Sequence, residues 1–332
     1  MKIISADWQG RINPFFEHSI ISFLRKIDLD GVTVVIASPF DDYSFNQKLE
    51  EIAEPWVLLD YMEYGRAEPK EGHLFGRGYA LPWQDKIEWH KFDEWAKRCP
   101  PLVYFKLNLS EKLKSSILSF DVFPLDYTTL APVPEPQDKE EWEKRPFDVF
   151  YSWGYSNRER PRLHGDIIHG MVKHNYAYTD NVHYCQRWNE EYPGKKKWMA
   201  LFVPHYARMP LPQLLSMQSK FKVSISMPGC GPKCFRHAES PNDCIMAIVN
   251  QDMVWSYPWE NKNNCIEISF GFETHELNHI LQTNTWTDDC SPVDWYRLYV
   301  NSTKTCQKYQ ANVYSKNYIA PIIKQYLEKQ NG

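Results

Sequence analysis

Residues 222–239 read KVSISMPGCGPKCFRHAE, and the fold follows from how this stretch is parsed. Lys222–Met227 mixes β-branched and small residues in a run too short for a stable helix, which predicts a strand. Pro228, Gly229, Gly231 and Pro232 then shape a turn, and the chain enters a helix predicted over Phe235–Val249. A strand that feeds a helix through a Gly-rich turn is the repeating unit of a parallel sheet. In such sheets ligands bind beyond the carboxyl ends of the strands, where this turn lies.

The same parse holds upstream. Residues 147–165, FDVFYSWGYSNRERPRLHG, give a strand at Phe147–Ser152 and a tight turn at Gly154. Ser156 or Asn157 can cap the next helix, Pro161–His174, whose Leu163, Ile167 and Met171 fall at i, i+4, i+8. Further strands are predicted at Trp198–Val203 and Met253–Tyr257, with a helix at Leu211–Lys220. Two helices follow Pro292, the last carrying Tyr318, Ile322 and Tyr326 along one face, with Ile319, Ile323 and Leu327 beside them. In the first half, strands are predicted at Lys2–Ala6, Val32–Ser38, Trp56–Tyr61 and Leu102–Leu107. A helix over Pro14–Lys26 has Asn13 as its cap and Pro at its first position. Residues 131–146, APVPEPQDKEEWEKRP, lack an apolar period and read as a linker. The expectation is an α/β chain: residues 1–140 as one unit, 147–310 as a second, and 311–332 as a helix packing back on the first.

At 332 residues, with 43% hydrophobic and 24% charged residues, the composition excludes disorder, collagen-like repeats and a small disulfide scaffold. Charge is segregated. Residues 1–150 carry 18 Lys+Arg against 26 Asp+Glu, and residues 151–332 carry 20 against 16. From Lys195 to Arg236 there are eight basic residues and no acidic one. That asymmetry points to an anion site in the second half, with chance segregation of solvated charge as the plainer alternative. The apolar stretch after Met1-Lys2 is too short for a secretory leader, and no run reaches the ~18–20 residues of a membrane span. Cytoplasm is the expected compartment, and the eight Cys are expected to be reduced.

Chemistry concentrates in the two turns. Arg158, Arg160 and Arg162 offer forked donors suited to phosphate oxygens, beside a helix N-terminus. Arg pairing with the acidic half is the alternative. In the second turn Lys233 and Arg236 could hold phosphate, and Glu239, i+3 from Arg236, could chelate ribose hydroxyls. A simple helix ion pair would also explain Arg236 and Glu239. Cys230 and Cys234 are separated by three residues, the wrong spacing for a Cys-x-x-Cys redox pair. No metal-holding Asp-x-Asp pair occurs in these turns, and basic groups with helix dipoles suffice, so no metal cofactor is expected.

The run Ser219–Gly229 followed by Cys234–Glu239 resembles the exostosin-like glycosyltransferases, which show a Ser-Lys-Phe strand start, a Pro-x-Gly turn and an Arg-x-x-Glu helix. Arg158–Leu163 resembles that family's Arg-Pro-x-Leu segment. The likeness covers residues 147–260 and departs after Glu239, where Ser240-Pro241-Asn242-Asp243 replaces the usual run, which leaves the donor open. The resemblance implies two facing Rossmann-like domains of the GT-B arrangement with a cleft between them. It also implies a nucleotide-sugar donor held by Arg158, Arg162, Gly229, Gly231, Lys233, Arg236 and Glu239.

A base would then come from the first half, with Asp7 favoured over Glu17, His18, Asp60 and Glu63; a turn cap is the plainer role for Asp7. Trp8, Glu17, Asp60 and Glu63 are the expected acceptor contacts. The acceptor would be a glycan hydroxyl or, alternatively, a hydroxymethylated base of viral DNA. The acidic first half disfavours DNA, because duplex binding rests on phosphate neutralisation. A non-catalytic carbohydrate-binding protein and a nucleotide-sugar epimerase stay open as other classes.

Overall fold

The computed structural model describes residues 1–5, 20–36, 52, 55–60, 100–107, 109, 111, 114, 121–154, 159–174, 177–179, 195–202, 210–227, 233, 236–239, 242–249, 253–269 and 271–331. These residues build two parallel sheets. The first runs in chain order: β1 (Lys2–Ser5), β2 (Thr33–Ile36), β3 (Trp56–Asp60), β4 (Val103–Leu107) and β5 (Val122–Leu125). The short helix α1 (Ser22–Leu24) lies between β1 and β2. Every residue of β2, β3 and β4 is buried. That is the condition of a parallel strand covered on both faces, and it explains the continuous Val/Leu/Ile runs. The edge position of β5 tolerates Pro124, which has no N–H to give to a neighbour.

The second sheet has the order β11-β10-β9-β6-β8-β7 and is also wholly parallel. Its strands are β6 (Phe147–Trp153), β7 (Ala177–Thr179), β8 (Lys197–Phe202), β9 (Phe221–Ser226), β10 (Ile245–Val249) and β11 (Cys265–Ile268). The chain starts in the middle at β6, goes to the edge at β7, returns to place β8 between them, then crosses to the other side with β9. The helices are α2 (Lys139–Glu143), α3 (Glu159–His174), α4 (Leu211–Gln218), α5 (Arg236–Glu239), α6 (Glu273–Thr283), α7 (Trp295–Lys308), α8 (Ala311–Tyr314) and α9 (Ala320–Asn331). A π-turn over Ser315–Ile319 joins α8 to α9.

Three sequence expectations are corrected. The helix expected over Phe235–Val249 is the four-residue α5 followed by strand β10, with Asp243 between them at φ +70°. An L-residue in the left-handed region breaks a helix. Met253–Tyr257 forms no strand, and β11 supplies the sheet edge instead. The linker holds a helix, α2, capped by the Asp138 side chain accepting from Glu141 N at 2.9 Å. Its Trp142 is buried and stacks on Tyr299 with ring centroids 5.5 Å apart.

Arg145 ends this linker and fastens it. Its guanidinium donates to Phe221 O at 3.0 Å, to the carbonyl and carboxylate of Asp243, and to Gln137 Oε1 at 2.8 Å. It also lies 4.9 Å from the Tyr299 ring centroid. One buried cation thus ties the linker to the starts of β9 and β10. The core over the first sheet is completed from the far end of the chain. Tyr309, Tyr314, Ile319 and Ile323 pack with Val34, Val57, Val103 and Phe105.

Candidate active site

In open parallel sheets the ligand crevice forms where the strand order reverses. Among the described strands the first sheet has no reversal, whereas the second reverses between β6 and β9. Register pairs join β6 to β9 only as far as Phe150–Ser224, while β6 continues beside β8 to Trp153–Phe202. The carboxyl ends of these two central strands, Trp153 and Ser226, lie at that reversal.

Arg160, in the first turn of α3, sits at these strand ends. It is buried and donates to Gly154 O and to Met227 O, each at 3.3 Å. Tyr151 on β6 donates to the Arg160 carbonyl at 3.3 Å. Arg162, one turn face away, pairs with Asp166 and with Glu273 Oε1 at 2.8 Å. Glu273 opens α6 and is only 1% exposed, so this ion pair locks α3 to α6. Beside them Trp153 Nε1 donates to His164 Nδ1 at 3.1 Å, which leaves that imidazole's proton on Nε2. The Trp153 ring lies 4.5 Å from that of Phe202, which is 43% exposed at the end of β8.

Lys233 occupies the second turn and reaches across to the first sheet. Its ammonium pairs with Asp126, just beyond β5, donates to Val254 O and stands 4.5 Å over the Trp255 ring. Both charged side chains are 1% exposed. Asp126 Oδ2 also accepts from Ser256 N at 2.7 Å, and Asp126 N donates to Tyr314 Oη at 3.0 Å. Burial holds the Lys233 pKa below the ordinary lysine value, while Asp126 pulls it the other way. The positive charge expected for phosphate is here opposed by a carboxylate, and the lysine pins its turn to the first sheet.

Glu239 closes α5, half-buried, with its carbonyl accepting from Gln218 Nε2 at 3.3 Å. Arg236 starts the same four-residue helix. Asp60 ends β3 fully buried, 3.0 Å from the Lys106 ammonium, and accepts from Tyr104 Oη at 2.6 Å. Burial, then Asp60 itself, pushes the Tyr104 pKa well up. Asp7, Trp8, Glu17, His18, Glu63, Arg158, Gly229, Gly231, Cys230 and Cys234 lie outside the described residues.

Among the described residues no group of three or more His, Cys, Asp or Glu is placed to hold a metal. The chain's Asp-x-Asp triplet, Asp28-Leu29-Asp30, precedes β2, at the amino edge of the first sheet; Asp30 there faces the N-terminal ammonium at 3.7 Å. Cys244, Cys265 and Cys306 are free, buried thiols, and burial pushes the Cys244 pKa up to about 12. Sequence reasoning missed Asp126 and Glu273. Their partners are 107 and 111 residues away, and no local spacing announces them.

Comparison with solved structures follows this geometry. Sucrose-phosphate synthase from Thermosynechococcus elongatus superposes with a TM-score of 0.52 at 9% identity, over 98% of this chain and 83% of that one. The trehalose-6-phosphate protein of E. coli, bound with UDP-2-fluoro glucose, gives 0.50 at 11% identity, over 95% and 78%. The chain has the GT-B fold. The structure of TarM aligns at a TM-score of 0.48 and 11% identity over 91% of this chain, which spans 55% of TarM's length. No protein-family model and no curated protein sequence matches the chain. No helix among the described residues is long and apolar enough to cross a membrane.

The Lys233–Asp126 pair predicts a clear coupling. Lys233→Met leaves a buried carboxylate without its counter-charge and should cost about 3–5 kcal/mol in urea unfolding. The double variant with Asp126→Asn should recover a large part of that loss. Strictly additive losses would show that the two charges do not act as a pair.

Proposed function

We propose that the protein is a glycosyltransferase that moves a sugar from a nucleoside diphosphate donor to an acceptor hydroxyl on a glycan. The observation that carries this reading is the reversal of strand order between β6 and β9 in a wholly parallel sheet, with Gly- and Arg-bearing sequence following both strands. The exostosin-like resemblance of those stretches supports it. The UDP-2-fluoro glucose held by a protein of the same fold makes a uridine nucleotide the first donor to test.

In this reading Gly229 and Gly231 let the backbone approach the diphosphate, since neither has a Cβ to intrude. Arg158 and Arg236 neutralise the departing charge, assisted by the N-terminus of the sixteen-residue helix α3. Arg162 contributes at the mouth of the same helix while its guanidinium stays bonded to Glu273. Lys233 acts one step back, holding its turn in place through Asp126. Glu239 takes the ribose hydroxyls. Asp7 accepts the acceptor's proton, and Trp8, Glu17 and Glu63 contact the acceptor. Asp60 supports that edge of the first sheet through Lys106 and Tyr104. Excluding water protects the donor from hydrolysis.

Three outcomes are expected. Isothermal titration should show UDP binding that falls in Glu239→Ala by roughly 1.5–3 kcal/mol, the scale of a charge-assisted hydrogen bond; unchanged affinity would remove Glu239 from the ribose site. Transfer, read as UDP release from UDP-sugars in the presence of acceptor, should persist in excess EDTA. Loss in chelator with rescue by Mn²⁺ would overturn the metal-free reading. Asp7→Asn should keep nucleotide affinity while turnover drops by ~10²–10⁴, the range for a lost general base. Full turnover would exclude Asp7, and a large loss of UDP affinity would mean the two halves are assigned the wrong way round.

A further inference from the structure

The four-residue helix α5, Arg236–Glu239, cannot hold itself, because a single turn fixes several dihedrals in return for very few hydrogen bonds. Its placement comes from outside, and the contacts gather at its carboxyl end. The Ala238 carbonyl accepts from Cys306 Sγ of α7 at 3.2 Å. The Glu239 carbonyl accepts from Gln218 Nε2, at the end of α4, at 3.3 Å, and from Asn242 N at 3.1 Å. Asn242 is held in turn, since its Nδ2 donates to Pro132 O of the linker at 3.4 Å. Asp243 comes next, at φ +70°, a conformation that persists in an L-residue when its surroundings hold it there.

The holding group is Arg145, at the far end of the same linker. Its fork takes both the carbonyl of Asp243 and its carboxylate, the latter at 2.7 Å. Tyr299 Oη donates to that carboxylate and accepts from Gln137 N at 2.8 Å. The Arg145 and Asp243 side chains are 4% and 8% exposed, so water competes little for these bonds.

We propose that Arg145 is a positioning residue for the donor site: acting through Asp243 and Asn242, it fixes the end of α5 and with it the place of the Glu239 carboxylate. The linker between the two sheets thereby supports the nucleotide contact as well as joining the halves. The functional consequence rests on Glu239 contacting the ribose, as read above, and the structural one on the contacts just given.

The test uses Arg145→Lys and Tyr299→Phe in the full chain, each alone and combined with Glu239→Ala, with UDP as the probe. Lysine keeps the charge but loses the fork that spans carbonyl and carboxylate. Phenylalanine keeps the ring and removes one hydroxyl from the carboxylate. If the clasp places Glu239, the folded variants should bind UDP about tenfold and about threefold more weakly, respectively. Neither should weaken it further once Glu239 is alanine. Hydrogen exchange without nucleotide should accelerate in a peptide covering α5. Wild-type UDP affinity with only a lowered melting temperature would make the clasp purely structural and overturn the proposal. Losses that add to that of Glu239→Ala would overturn it too, because Arg145 would then act by another route. Should the wild type not bind UDP, or bind it equally well as Glu239→Ala, the donor reading fails instead. Exchange in α5 then decides alone: acceleration supports Arg145 as the group that fixes this helix, and unchanged exchange overturns it in either case. If Arg145→Lys does not fold, Tyr299→Phe carries the same readouts.

Discussion

A buried lysine and a buried aspartate on different sheets constrain everything between them. Removing two charges from water is expensive, and their attraction offsets the cost only when geometry is good and the remaining donors are satisfied. Here both conditions are met. Lys233 has a carboxylate, a carbonyl and an aromatic face, and Asp126 has the ammonium and a backbone N–H. The strand β5, the Gly-rich turn after β9, the segment around Trp255 and the C-terminal Tyr314 must all arrive in register for this to happen. The pair therefore joins the segment after β9 to the end of β5 at the junction of the two sheets.

Around it lies an aromatic layer that makes the contact durable. Tyr257 meets Tyr309, Tyr314 and Tyr318 at centroid distances of 5.6, 6.2 and 5.8 Å, and Trp259 stacks on Tyr309 at 5.9 Å. Rings supply large apolar area while their hydroxyls and N–H groups can still find partners. Tyr309 Oη donates to Tyr257 O at 2.7 Å, and Tyr314 Oη meets Ser256 Oγ at 2.6 Å. Part of the chain's content of 20 Tyr and 13 Trp thus lies at this junction.

The sequence displayed the strands of both sheets wherever β-branched runs were bounded by turn residues, and with them the parallel α/β class. It misled where a buried strand and a helix look alike. Ile245–Val249 is an apolar run of five, and periodicity cannot separate the two states at that length. Strand β5, with Pro124 inside it, reads locally as a loop, and only its edge position makes it a strand. The candidate site residues stand out in the sequence only as types: arginines and glycines crowd the two stretches that follow β6 and β9. Their division of labour does not. Whether an arginine faces phosphate, a carbonyl or a carboxylate depends on what folds against it from more than a hundred residues away, as Glu273 does against Arg162.

The packing of Tyr314, Ile319 and Ile323 onto the first sheet also bears on how the chain is made. The Ser315 hydroxyl donates to the Ile20 carbonyl at 3.4 Å, across 295 residues of sequence. The five strands of the first sheet are made before the second sheet, and Tyr309, Tyr314, Ile319 and Ile323, which cover part of the first, are made after it. Until then that sheet has, among the described residues, the cover that Ile20, Ile21, Leu24 and Leu29 supply, and contacts of such long range form slowly because loop closure precedes their reward. The core of the first sheet is thus completed late, although its strands come first in the chain. Completion of that core is therefore tied to residues 309–323, which reach it from beyond the whole of the second sheet.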